Sequence, residues 1–141
     1  MRFWDTSAIV PLVVRHTRSS EVEAWLSEDS MIAAWTLTPT EMLSAVHRLG
    51  RESHAPAAAV RAAERVVADI ISRTVLITDV ERVKTNAERL LRTHALRAAD
   101  ALQLGAALAW ASDRSRQILH TFDARLRHAA EREGFRVIPD A

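Results

Sequence analysis

The 141-residue sequence has no cysteine, only three glycines, a single lysine (Lys84) and no long apolar run. Without cysteine there is no disulfide framework and no thiolate metal site, and a reducing compartment fits. Three glycines leave nothing with which to build a glycine-rich phosphate loop. The early apolar stretch from Ala8 to Val14 is seven residues long and is interrupted by Pro11, whereas a membrane-spanning helix needs about 20 residues. Asp5 stands where a secretion signal would carry its apolar stretch. The expectation is a soluble, cytoplasmic protein with no membrane partner. Several chemistries are also missing. None of the six histidines sits in a His-Glu-x-x-His helix or another zinc spacing. Asp5-Thr6-Ser7 lacks the second aspartate two residues on that an aspartyl-phosphate hydrolase carries, and Ser7 has no evident His and acid partners for acyl transfer.

What is present is one domain's worth of chain, 1–141. A chain of this size buries about 68–70% of its unfolded surface and folds without staples. Of the 19 basic residues 18 are arginine, and the formal net charge is only +1. Should four acids gather in one site, 14 of the 18 remain against 19 basic residues, leaving +5 over the rest of the chain. Arginine forks match phosphate oxygens, although codon bias, visible also in 25 alanines, produces the same excess.

Strand and helix signals alternate. Arg2-Phe3-Trp4-Asp5 reads as a short strand, and Thr6-Ser7 as a hydroxyl cap for the helix that follows. Ser19–Ser27 reads as a helix and Met31–Trp35 as a buried strand. Thr38-Pro39-Thr40-Glu41 has the form of a capping box, with Thr38 as N-cap and Gly50 as the stop. A helix over Pro56–Ile71, a β-branched strand at Thr74–Thr78 and a helix over Val80–His94, capped by Asp79, come next. Ala98–Trp110 is a very apolar helix. Ile118–Phe122 reads as a strand, Asp123 opens a helix that Gly134 ends, and Phe135–Ile138 makes the last strand. This order predicts an α/β fold, a parallel sheet sandwiched by helices.

Four carboxylates stand out. In open parallel sheets ligands bind beyond the carboxyl ends of the strands; Asp5 and Asp123 fall at such ends, and Glu41 opens the helix after another. Each also suits a helix cap. Asp100 does not: only it and Gln103 are polar between Ala98 and Trp110. The residues one, two and three turns on from it are Leu104, Ala107 and Ala111, so its charge needs a cation, a proton or hydrogen bonds to offset burial. Arg97 is close enough along the helix to pair with it. Together the four suggest a site for a hard divalent cation, Mg2+ or Mn2+. Such a site steadies charge on a phosphate while water attacks, with no side-chain nucleophile.

The same residues carry a resemblance. Trp4-Asp5-Thr6-Ser7-Ala8-Ile9-Val10, Thr38-Pro39-Thr40-Glu41-Met42-Leu43-Ser44-Ala45, Leu96-Arg97-Ala98-Ala99-Asp100-Ala101-Leu102-Gln103-Leu104 and Thr121-Phe122-Asp123-Ala124-Arg125-Leu126 resemble, in order, the four motifs of the PIN-domain family. The short chain is most similar to its VapC-type toxins. The resemblance implies a three-layer α/β/α fold and a magnesium-dependent endoribonuclease, with Mn2+ as a substitute metal. It implies Asp5 and Asp100 as the firmest ligands, completed by Glu41 and Asp123, with Thr6, Ser7 and Thr121 as supporting hydroxyls. It implies RNA as substrate, a cognate antitoxin, a homodimer, and promoter DNA bound only through the antitoxin complex. Gly105 stands where the family often has alanine, which should loosen its helix slightly. His120 reads as a strand residue rather than a ligand. The competing expectation is a partner-binding module with little or no nuclease activity, whose helices Pro56–Ile71 and Val80–His94 pair as an arm that grips a partner helix.

Overall fold

The computed structural model describes residues 1–140. Its five strands are β1 (Arg2–Trp4), β2 (Ile32–Trp35), β3 (Thr74–Ile77), β4 (Ile118–His120) and β5 (Arg136–Ile138). They form one all-parallel sheet in the order β3-β2-β1-β4-β5. The helices are α1 (Thr6–Ile9), α2 (Ser19–Glu28), α3 (Thr38–Glu52), α4 (Ala57–Ser72), α5 (Val80–Thr93), α6 (Ala98–Trp110) and α7 (Ala124–Arg132). A turn of 3-10 helix at Val10–Leu12, carrying Pro11, follows α1.

Side-chain alternation along the strands makes the sandwich. Phe3, Ala33 and Trp35 point into a core with Val83, Leu90, Leu104 and Leu126 of α5, α6 and α7. Their strand neighbours Trp4, Ile32 and Ala34 point the other way, onto Val22, Trp25, Met42, Val46, Val67 and Ile70 of α2, α3 and α4. Both faces are covered, which is why the strands read as continuous apolar runs. The expected three-layer fold is the observed one.

The chain begins in the central strand, builds β2 and β3 to one side, then crosses back to lay β4 and β5 on the other. The order therefore reverses at β1, and a crevice opens beyond the carboxyl ends of β1 and its neighbours. α6 lies on the return path, between β3 and β4, and so brings Asp100 toward that edge.

Local readings needed correction where a side chain found a better partner. Asp5, not a hydroxyl, caps α1, its carboxylate accepting from the Ser7 N–H. The N-cap of α3 is Leu37, with no side-chain cap bond; Thr38 lies inside the helix and Glu41 turns away from the backbone, so no capping box forms. Gly50 does not stop α3, which runs to Glu52. β4 ends at His120, leaving Thr121 and Phe122 in the turn. The paired arm is not formed either: α4 packs on α3, and α5 packs on α6. Gly134 does end α7, with φ 98°, a left-handed conformation that glycine adopts without strain.

Gly105 has a packing role that its helix propensity does not reveal. A Cβ there would lie 2.8 Å from the Val83 carbonyl oxygen and 3.2 Å from the Ala87 nitrogen. The missing side chain is what lets α5 and α6 touch backbone to backbone, and Asn86 Nδ2 seals the contact by donating to the Gly105 carbonyl at 3.0 Å.

Candidate active site

Asp5 leaves the central strand, and its backbone N–H donates to the His120 carbonyl on β4 at 3.0 Å. This bond ties the ends of β1 and β4 together and places Asp5 beside the β4–α7 turn. Three donors converge on its Oδ2: Ser7 Oγ at 2.5 Å, Thr121 Oγ1 at 2.9 Å and Ser7 N at 3.3 Å. Oδ1 receives no hydrogen bond among the described residues. Ser7 Oγ also accepts from Phe122 N at 2.9 Å, and Thr121 Oγ1 from Asp123 N at 3.0 Å. The three hydroxyl and carboxylate groups therefore lock the turn that carries Asp123. Asp123 caps α7, its Oδ1 accepting from Leu126 N at 2.8 Å.

Glu41 enters from the opposite layer. Thr6 Oγ1 donates to its Oε2 at 3.1 Å and Gln103 Nε2 to its Oε1 at 3.1 Å. Gln103, 1% exposed, also donates to Thr6 Oγ1 at 2.9 Å and Thr38 Oγ1 at 3.1 Å. One buried amide thus joins α6, α1 and α3 and holds both Glu41 oxygens, one directly and one through Thr6. Gln103 and Thr38 carry no functional signal of their own in the sequence. Gln103 was visible there only as the second polar residue of an apolar helix. Its Oε1 is buried without a hydrogen-bond partner.

The electrostatics single out the same residues. Burial pushes the Asp5 carboxyl above its ordinary value, against the hydrogen bonds from Ser7 and Thr121, and the Asp123 charge adds to the rise. Burial raises Glu41 too, with smaller contributions from Asp5 and Asp100. Asp100 is raised by burial and then by Asp123, and Arg97 and Arg125 offset this only partly. Arg97, though close enough along the helix, forms no ion pair with Asp100, and none of the four carboxylates has a basic partner within 4 Å among the described residues. They sense one another's charge without meeting: no three Asp, Glu or His side chains among the described residues close into a ready-made metal cage. His120 stands apart from them. It lies between Trp4 and Trp25, ring centroids 4.4 and 4.6 Å away, and burial lowers its pKa to about 3. It is a neutral core residue of β4, as its strand position suggested.

This donor set suits a hard divalent cation. All four groups are oxygen donors, Asp5 keeps a free oxygen, and their repulsion is of the kind a cation relieves. Ser7 Oγ is engaged by Asp5 and Phe122 and so orients the Asp5 carboxylate.

The fold and site define an α/β protein with an acidic pocket at its topological switch point. The PIN domain pattern matches residues 2–132, and the chain belongs to the PIN-domain family. Ribonuclease VapC45 and Ribonuclease VapC49, from two strains of Mycobacterium tuberculosis, are each 31% identical to it over 138 residues, covering 97% of this chain and 94% of theirs. The crystal structure of PAE2754 from Pyrobaculum aerophilum shares the fold, with a TM-score of 0.60 and 20% identity, over 97% of this chain and 88% of that one.

Proposed function

We propose that the protein is a metal-dependent endoribonuclease and the toxin of a toxin–antitoxin pair. The observation that carries this reading is the group of four carboxylates at the switch point, three of them destabilised as anions and none neutralised by a basic side chain. The names of its Mycobacterium tuberculosis relatives support ribonuclease as the activity.

Asp5 and Asp100 would hold Mg2+, or Mn2+ in its place, with Glu41 and Asp123 completing the pocket. A bound cation would supply the positive charge that eases deprotonation of water and stabilises the phosphate in an in-line displacement. The protein's own groups prepare that pocket. Ser7 and Thr121 load one oxygen of Asp5 and leave the other open. Thr6 and Gln103 fix the Glu41 carboxylate, so that no rotamer has to be frozen at the moment of reaction. The capping bond from Leu126 N fixes Asp123. In this reading the attacking group is water.

An antitoxin that covers this pocket, a homodimer, and promoter binding only through the antitoxin complex complete the proposal. No described helix is long and apolar enough to cross a membrane. The test is to incubate purified protein with total RNA after chelation and then restore Mg2+ or Mn2+. Cleavage that stops on chelation and returns with metal is expected; cleavage that persists in chelator contradicts the metal-dependent reading.

A further inference from the structure

Glu41, alone of the four carboxylates, lines a cavity of about 1020 Å³, together with Thr6 and Ser7, whose hydroxyls bond Glu41 and Asp5, and with Phe122 and Ala124, which flank Asp123. That volume is at the top of the range of about 300–1,000 Å³ common for small-ligand sites. Two chemistries meet along its walls. Val10, Val14, Leu49 and Phe122 supply apolar surface, and Arg15, Arg18, Arg48 and Arg127 supply charge from three separate stretches of chain.

The arginines differ in how they are held. Arg127 is fixed, donating to the carbonyl oxygens of Thr121 and Pro139. Arg15, Arg18 and Arg48 pair with Glu23, Glu21 and Glu52, but these pairs are solvent-exposed and worth little, so a phosphate can take the carboxylate's place. The Arg18 guanidinium also sits 4.9 Å from the centre of the Phe122 ring, which is backed by Trp25 at 5.4 Å. An arginine seated on an aromatic ring offers its outer face as a stacking surface for a base.

We propose that this cavity seats an unpaired nucleotide of single-stranded RNA beside the point of cleavage, its base on the Arg18–Phe122 platform and its phosphates on Arg15, Arg48 and Arg127. The inference rests on the ribonuclease reading for the identity of the polymer. A phosphate alone would have no use for the apolar wall. An acidic peptide would match rim and wall, but continuity with a pocket built for phosphodiester chemistry favours nucleic acid. A base inside a duplex cannot reach the platform, so the substrate must be single-stranded here.

The test is binding without cleavage. In the Asp100→Asn background, in chelator, the affinity for a short fluorescent oligouridylate and for the same strand in a duplex is read by anisotropy. Single strand should bind at least about tenfold tighter than duplex, and Phe122→Leu should weaken it by about fivefold or more. Arg18→Ala and Arg48→Ala should weaken it similarly, and Arg48→Ala, which removes a phosphate contact, should also lower the slope of log affinity against log salt by about 0.7. Arg82→Ala, on α5 outside this cavity, should change little. Equal affinity for duplex, or indifference to the cavity substitutions, overturns the proposal. So does loss of a co-expressed antitoxin from the Arg18 and Arg48 variants with RNA binding intact, which would give the cavity to a protein. Binding as predicted, in a protein that cleaves no RNA with any metal, would uphold the cavity and refute the nuclease reading. Cleavage unaffected by the cavity substitutions would do the reverse.

Discussion

Gln103 makes the most demanding contacts of any single residue in the site. Replacing it with leucine keeps the volume but removes the donor shared by Thr6, Thr38 and Glu41. Groups buried without partners cost about 1–3 kcal/mol, so Gln103→Leu should lower the melting temperature. It should also release Glu41 and reduce the single-turnover cleavage rate by about tenfold or more, at metal concentrations where the wild type is saturated. A variant that melts earlier yet cleaves at the wild-type rate would make Gln103 a packing residue only. The Asp5 hydroxyls predict a milder result. Thr121→Val removes one of three donors to Oδ2 and the acceptor for Asp123 N, and should reduce the rate less than loss of Asp5 itself. Of the candidate residues Asp100 stood out most in the sequence, because α6 is otherwise so apolar; in the structure it lies in the first turn of α6, where the backbone N–H of Arg97 also favours its anion. Asp5 and Asp123 were ambiguous for a physical reason: both do cap helices, so capping and acidic-site signals coincide. Glu41 imitated a capping box, and only its tertiary partners Thr6 and Gln103 show otherwise.

At the scale of elements, the α5–α6 contact is the sharpest test. Gly105→Ala gains helix propensity of about 1 kcal/mol but drives a Cβ against backbone atoms of α5. Backbone cannot step aside as a side-chain tip can, so overpacking of about 1–3 kcal/mol should win. A lower melting temperature is expected, and a higher one would show that the helices separate freely. Element types and their order were legible because strand and helix periodicities are distinct and caps such as Asp79 and Asp123 are local. Helix ends were less so: α3 runs through Gly50 and takes Leu37 rather than Thr38 as its N-cap, with Met42 and Val46 packed into the core. The order of strands in the sheet, and hence the switch point, lies in long-range pairing that no local window contains.

For the whole molecule, two sets of carboxylates oppose each other in pH. Asp5, Glu41 and Asp100 have folded pKa values above their ordinary 3.8, 4.5 and 3.8. The folded state thus holds their protons longer, and the stability they contribute is present below the ordinary values and lost as pH rises through the raised ones. Glu133 runs the other way: hydrogen bonds from Arg89 and His94 lower it from 4.5 to about 2. Its stabilisation is full above its ordinary value and is lost as pH falls toward about 2. Metal-free protein should therefore melt highest in mildly acidic buffer and lower at neutral pH. Mg2+ should restore the difference at neutral pH and add little in acid, where protons compete for the ligands. A metal-free melting temperature that rises steadily from pH 4 to 7, with no response to Mg2+, would count against a strained acidic pocket. The decisive experiment is cleavage of RNA by wild type and by Asp100→Asn, each with Mg2+ or Mn2+ and each shown to be folded by circular dichroism. Metal-dependent cleavage by the wild type is expected, with at least about a hundredfold loss in the variant, since it removes a charge held for the reaction. Equal cleavage by both would contradict this, leaving Asp100 as a structural residue of α6.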